Sequence, residues 1–158
     1  MARTVRRDSQ KLGKIARAQI EEARRALKRG AHAIKNRAVE GIISPPKSGR
    51  VYSKGTKGRK GKRGWGTGSR TLIHRASAPG EFPAADTGEL HTSITSADQS
   101  REGLIRYEVA ANTPYAEALE FGTSKMEPRP FMGPSFDENI GAIRADIRNA
   151  LRRGARRG

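Results

Sequence analysis

Apolar residues recur every three or four positions at Leu12, Ala16, Ile20, Ala23, Leu27, Ala31, Ile34 and Ala38, a spacing that places them on one stripe of an α-helix. The predicted helix covers 8–43. Lys11, Lys14, Arg17, Arg24, Arg25, Lys28, Arg29, Lys35 and Arg37 occupy its other faces, and the alanines of the stripe let it lie close to another backbone. Ser44-Pro45-Pro46 ends it, because proline lacks an N–H and disfavours helix at the residue before it. Phe136, Ile140, Ile143, Ile147 and Leu151 repeat the pattern and predict a second helix over 134–153. Asp137 and Glu138 lie in its first turn and Arg148, Arg152 and Arg153 in its last, an order that suits the helix dipole.

Between the helices the period changes. Val51-Tyr52-Ser53 and Arg70-Thr71-Leu72-Ile73-His74 are β-prone runs on either side of a glycine-rich stretch. Asp86-Thr87-Gly88 signals a turn and the start of a short helix over 88–94, with Leu90 and Ile94 on its buried side. Residues 95–98 and 103–111 read as strands, the second alternating with period two. Pro114 starts a further short helix that Gly122 stops, and Pro128-Arg129-Pro130-Phe131 fits an extended rim. The predicted class is α+β: two long helices packed on a small antiparallel sheet, with a long basic glycine-rich loop. One domain spans 1–158, with the basic arm at 44–75, the sheet and motif region at 76–133 and a basic tail at 154–158.

Composition narrows the function. Only 34% of the 158 residues are apolar and 5% aromatic, with 18 glycines and 8 prolines, so the core is small and part of the surface is expected to be completed by neighbours. Net charge is +16, which bears on partners and not on fold. Lys47 to Arg75 holds ten basic residues and no acidic one, whereas 76–139 holds eleven acidic against four basic. Without cysteine there can be neither disulfides nor thiolate metal sites. The charged first thirty residues do not resemble a signal peptide, and no apolar run approaches the length of a membrane span. The chain is expected to act in the cytoplasm or in a particle assembled there.

Two unusual blocks stand in series. The first is Ala76-Ser77-Ala78-Pro79-Gly80-Glu81 followed by Asp86-Thr87-Gly88-Glu89-Leu90-His91-Thr92-Ser93-Ile94. The second is Tyr115-Ala116-Glu117-Ala118-Leu119-Glu120-Phe121-Gly122-Thr123-Ser124-Lys125-Met126-Glu127-Pro128-Arg129-Pro130-Phe131. Over about 77–151 they resemble the tail-completion, or head-tail joining, neck proteins of long-tailed double-stranded DNA bacteriophages. That resemblance implies a virion protein of the neck and no enzyme, metal or cofactor. It further implies a ring, by resemblance a hexamer, that meets the tail terminator or tail tube and the head connector around the DNA channel.

The residues support several contact readings. Lys47, Arg50, Lys54, Lys57, Arg59, Lys60, Lys62, Arg63 and Arg70 form the arm, which can neutralise DNA phosphates, dock on an acidic partner or remain a solvated loop. Arg148, Arg152, Arg153, Arg156 and Arg157 at the C-terminal end carry the same alternatives. Tyr115, Glu120, Phe121, Arg129, Pro130 and Phe131 are candidates for a subunit or partner interface, divided between internal core and subunit contact; Glu120 is expected to pair with a base such as Arg129. Glu117 and Glu120 share a helical turn but lack a neighbouring histidine, and His32, His74 and His91 fall in separate elements, so no acid–base or metal constellation is predicted. The glycine-rich stretch lacks the order of a phosphate-binding loop. A stand-alone basic nucleic-acid-binding protein is the alternative, and the acidic, motif-bearing middle argues against it.

Overall fold

A computed structural model describes residues 2–44, 47–55 and 71–157. Its first element, α1 (Ala2–Ile43), is an unbroken helix of 42 residues, roughly 63 Å long at the standard rise. It begins before its apolar stripe does. The β-prone runs around the glycine-rich stretch form β1 (Val51–Gly55) and β2 (Thr71–Arg75), antiparallel, with Tyr52 opposite His74 and Ser53 opposite Ile73. Residues 56–70, between them and expected as a glycine-rich loop, lie outside the described residues. A short helix α2 (Glu89–Ser93) runs into β3 (Ile94–Asp98), which pairs antiparallel with β4 (Tyr107–Ala111). Helices α3 (Ala116–Phe121) and α4 (Met132–Arg157) complete the chain.

The α+β class stands, with three differences from expectation. Among the described residues the strands form two separate two-stranded sheets. The long helices pack chiefly on each other, and α1 packs only secondarily on β3 and β4. Finally, α4 starts at Met132 and runs through Arg157, so most of the segment expected as a tail is helix. Its start is earlier than the apolar stripe suggests because a carboxylate from α3 caps it.

Small residues explain why the helices prefer each other. They run antiparallel, with Gly154 against Gln19 and Arg37 beside Glu138. At Gly154 a Cβ would stand 2.5 Å from the Cα of Gln19, and at Gly30 one would stand 2.9 Å from Ile143. Ala23, Ala26, Ala31, Ala38 and Ala150 are buried along this seam. The contact runs along the alanines Ala23, Ala31 and Ala38 of the expected α1 stripe and takes in Ile143 of the α4 stripe, while Phe136 and Leu151 at the ends of that stripe stay exposed. Leu12 is exposed for a different reason: α4 ends beside Gln19 and Glu22, so the first turns of α1 extend past it.

The larger core lies at the other end of the seam. Ala38 and Ile42 of α1 meet Leu90, Ile94, Ala116 and Phe131, with Phe82, Val109, Leu119 and Met132 packed around them. Every element from α1 to α4 except the β1–β2 hairpin contributes to this cluster.

Candidate functional site

The two sequence blocks meet in space, and carboxylates tie them down. Glu81 accepts hydrogen bonds from the backbone N–H groups of Ser48 (3.1 Å) and Ala78 (2.9 Å) and from the Ser48 hydroxyl (2.5 Å). These bonds, the Ser48 hydroxyl first, hold its carboxyl down at about 2. Gly80, at φ 78°, turns the chain so that its N–H reaches the carbonyl of Pro128 at 2.9 Å. Arg129 donates from Nε to the carbonyl of Ser77 (3.1 Å) and from Nη1 to that of Glu127 (3.3 Å). Its partners are thus backbone carbonyls in both blocks.

Glu120 does not pair with Arg129. Its carboxylate accepts the N–H groups of Phe131 (2.8 Å), Met132 (3.0 Å) and Gly133 (2.8 Å), the unsatisfied donors at the start of α4. A negative charge there also suits the helix dipole. Phe131 is 1% exposed and belongs to the core, Pro130 is half-buried, and Tyr115 and Phe121 are exposed. Of the six interface candidates, Tyr115 and Phe121 therefore present the most surface, and Glu120 and Arg129 spend their polar groups internally.

Ion pairs sort the basic residues in the same way. Glu22, buried on α1, is met by Arg157 at 2.5 Å and by Arg153 and Arg25 at 3.5 Å. Arg29 reaches Asp146 at 2.7 Å, where Arg153 also approaches, and Arg37 pairs with Glu138. Arg153 and Arg157 thus hold α4 on α1. Arg144, Arg148, Arg152 and Arg156 remain exposed, four residues apart on the face of α4 turned away from α1, with no ion pair among the described residues. Arg144 was not among the sequence candidates; the four-residue spacing was the signal for it.

The arm is described only in part. Lys47 folds back, its ammonium donating to the carbonyl of Gly41 at 2.6 Å and so satisfying the C-terminal end of α1. Burial pushes its pKa down. Arg50 lies over the ring of Tyr52, 5.8 Å from its centroid. Lys54 belongs to β1, whereas Lys57, Arg59, Lys60, Lys62, Arg63 and Arg70 lie outside the described residues.

Two hollows flank α3. A cavity of about 420 Å³ on one side is lined by residues of both blocks, among them Ser77, Asp86, His91, Tyr115, Leu119 and Arg129. A groove of about 740 Å³ on the other runs along β4 between Ile34 and the α3–α4 corner, with Glu117, Phe121, Met132 and Phe136 on its walls. Among the described residues no three His, Cys, Asp or Glu side chains are placed to hold a metal ion, and no helix is long and apolar enough to cross a membrane.

The sequence model of the HK97-gp10-like family, bacteriophage tail components, matches residues 9–122, and the chain belongs to that family. The match takes in α1 and the basic hairpin, further towards the N-terminus than the two blocks alone reach, and stops at Gly122, before the proline-rich rim and α4. No curated protein and no solved structure matches the chain.

Proposed function

We propose that this tail component works in the phage neck, as a non-enzymatic ring subunit that completes the tail and joins it to the head connector around the DNA channel. The proposed stoichiometry of six comes from the resemblance of the two sequence blocks. Contacts with the tail terminator or tail tube on one side and the connector on the other follow from the same placement. The observation that carries the reading is the division of charge between segments of the chain. Arg144, Arg148, Arg152 and Arg156 form an exposed basic ridge, the hairpin is basic, and 76–139 is acidic. A subunit that meets both DNA and protein needs such a division, since basic surface neutralises phosphate while acidic surface is left for protein contacts.

The ridge spans roughly 18 Å from Arg144 to Arg156 at the helical rise, and arginine suits phosphate because its planar fork can donate twice to one group. Replacing all four arginines with glutamine is expected to weaken binding of a duplex oligonucleotide. The slope of log K against log salt should become shallower by up to about 3.6 if each arginine meets one phosphate. An unchanged slope, measured by fluorescence anisotropy, removes the ridge from the DNA contact. The second reading, a stand-alone nucleic-acid-binding protein, draws on the +16 charge. It predicts tight duplex binding by a monomer that neither self-associates nor meets tail proteins.

A further inference from the structure

Two unfinished sheets stand on opposite sides of α3. The β1–β2 hairpin has only two strands among the described residues, makes no contribution to the core cluster, and leaves Val51, Tyr52 and Ile73 exposed, the last at 75%. An isolated two-stranded hairpin is marginal in water and needs a third strand or a packing partner. The β3–β4 sheet has the matching deficit. Among the described residues β4 is paired on one side only, by β3, and 106–111 line the groove under Phe121, which is 77% exposed. An open strand edge beside an apolar groove is what strand addition requires: backbone bonds along the edge and pockets for side chains beside it.

Charge also matches. Arg50 and Arg75 stand exposed at the base of the hairpin, and Glu117 stands exposed on the groove, where Glu108 is already paired with Arg106 at 3.4 Å. The chain's own hairpin is not placed to fill its own groove. Its base is tied to Ala76 by the bonds from Gly49 and to Arg50, and His74 and Ala76 line the cavity on the opposite side of α3. We propose that the groove receives the β1–β2 hairpin of a second copy of this chain. The hairpin edge adds to β4, Ile73 or Val51 enters beside Phe121, and Arg75, on the same hairpin face, meets Glu117. Donor and acceptor surfaces differ, so the contact is head-to-tail and can repeat around a ring. The inference rests on the ring reading above and assigns the surfaces that close it.

The absence of cysteine makes the test direct. Ser53→Cys and Glu117→Cys are both exposed positions, so neither disturbs the core. Under mild oxidation, in concentrated solution and in assembled particles, the double variant is expected to give a ladder of disulfide-linked multimers; single variants should stop at dimers. Glu117→Arg is expected to abolish self-association and Arg75→Glu, added to it, to restore it. Rings that assemble with no ladder, and that tolerate Glu117→Arg, overturn the hairpin-in-groove contact and leave the ring reading in place, with the groove free for another protein. A chain that stays monomeric in solution and yields no multimer from particles overturns both.

Discussion

Single carboxylates fix the chain where the sequence blocks meet. Glu120 satisfies three backbone donors at the head of α4 from a helix eleven residues upstream. Loss of such a cap costs about 1–2 kcal/mol. Glu120→Ala should lower stability by that amount in urea unfolding, and Arg129→Ala, if it did the same through loss of an ion pair with Glu120, would couple to it in a double-mutant cycle. The structure predicts no such coupling through an ion pair. Glu81 adds a pH dependence. Its carboxyl sits at about 2 in the folded chain against an ordinary value of 4.5, so the unfolded chain binds the proton more readily. The stabilisation is complete above about 4.5 and is lost as pH falls through about 2. Glu138, Asp98 and Asp146 are shifted in the same direction by their hydrogen bonds to Arg37, Ser100 and Arg29. Acid unfolding followed by circular dichroism should therefore be less steep in Glu81→Gln than in the parent chain.

Among the elements, the α1–α4 seam depends on the smallness of its residues and on ion pairs at its edges. Gly154 and Gly141 lie on the same helix and should respond oppositely to alanine. At Gly154 the new methyl meets the backbone of α1, so the helices must separate, and overpacking of this kind costs about 1–3 kcal/mol. At Gly141 nothing lies within 4 Å, and alanine should stabilise by up to about 1 kcal/mol through helix propensity. Thermal melts of the two variants should move in opposite directions; equal shifts would contradict the close seam.

Much of this element layout was legible in the sequence. The 3.6-residue period marked both long helices, β-prone runs around glycines marked the hairpin, and Gly122 marked the end of α3, where its φ is 76°. The alanines of the α1 stripe signalled a close helix contact, but the glycines of the seam, Gly30 and Gly154, carry no hydrophobic signal, and Phe136 and Leu151 mark the α4 stripe without being buried in it. Glu120 could not be assigned because its partners are backbone groups, which have no sequence signature. Arg153 and Arg157 looked like the other C-terminal arginines; only the antiparallel packing that brings Glu22 beside them separates their roles.

For the whole molecule, charge and unfinished surface matter more than core. The family match shows a bacteriophage tail component, and the fold offers it a basic ridge, an acidic middle and two open sheet edges. None of these surfaces needs a catalytic group to act. Each needs a neighbour, and the proposed ring would supply one on either side of every subunit. The native mass of the purified full chain, measured by light scattering alone and then with tail-tube and head-connector proteins, tests the ring most directly. A closed ring of six copies, formed alone or on mixing, is the predicted result. A chain that remains a monomer in every mixture while binding free duplex DNA would contradict it.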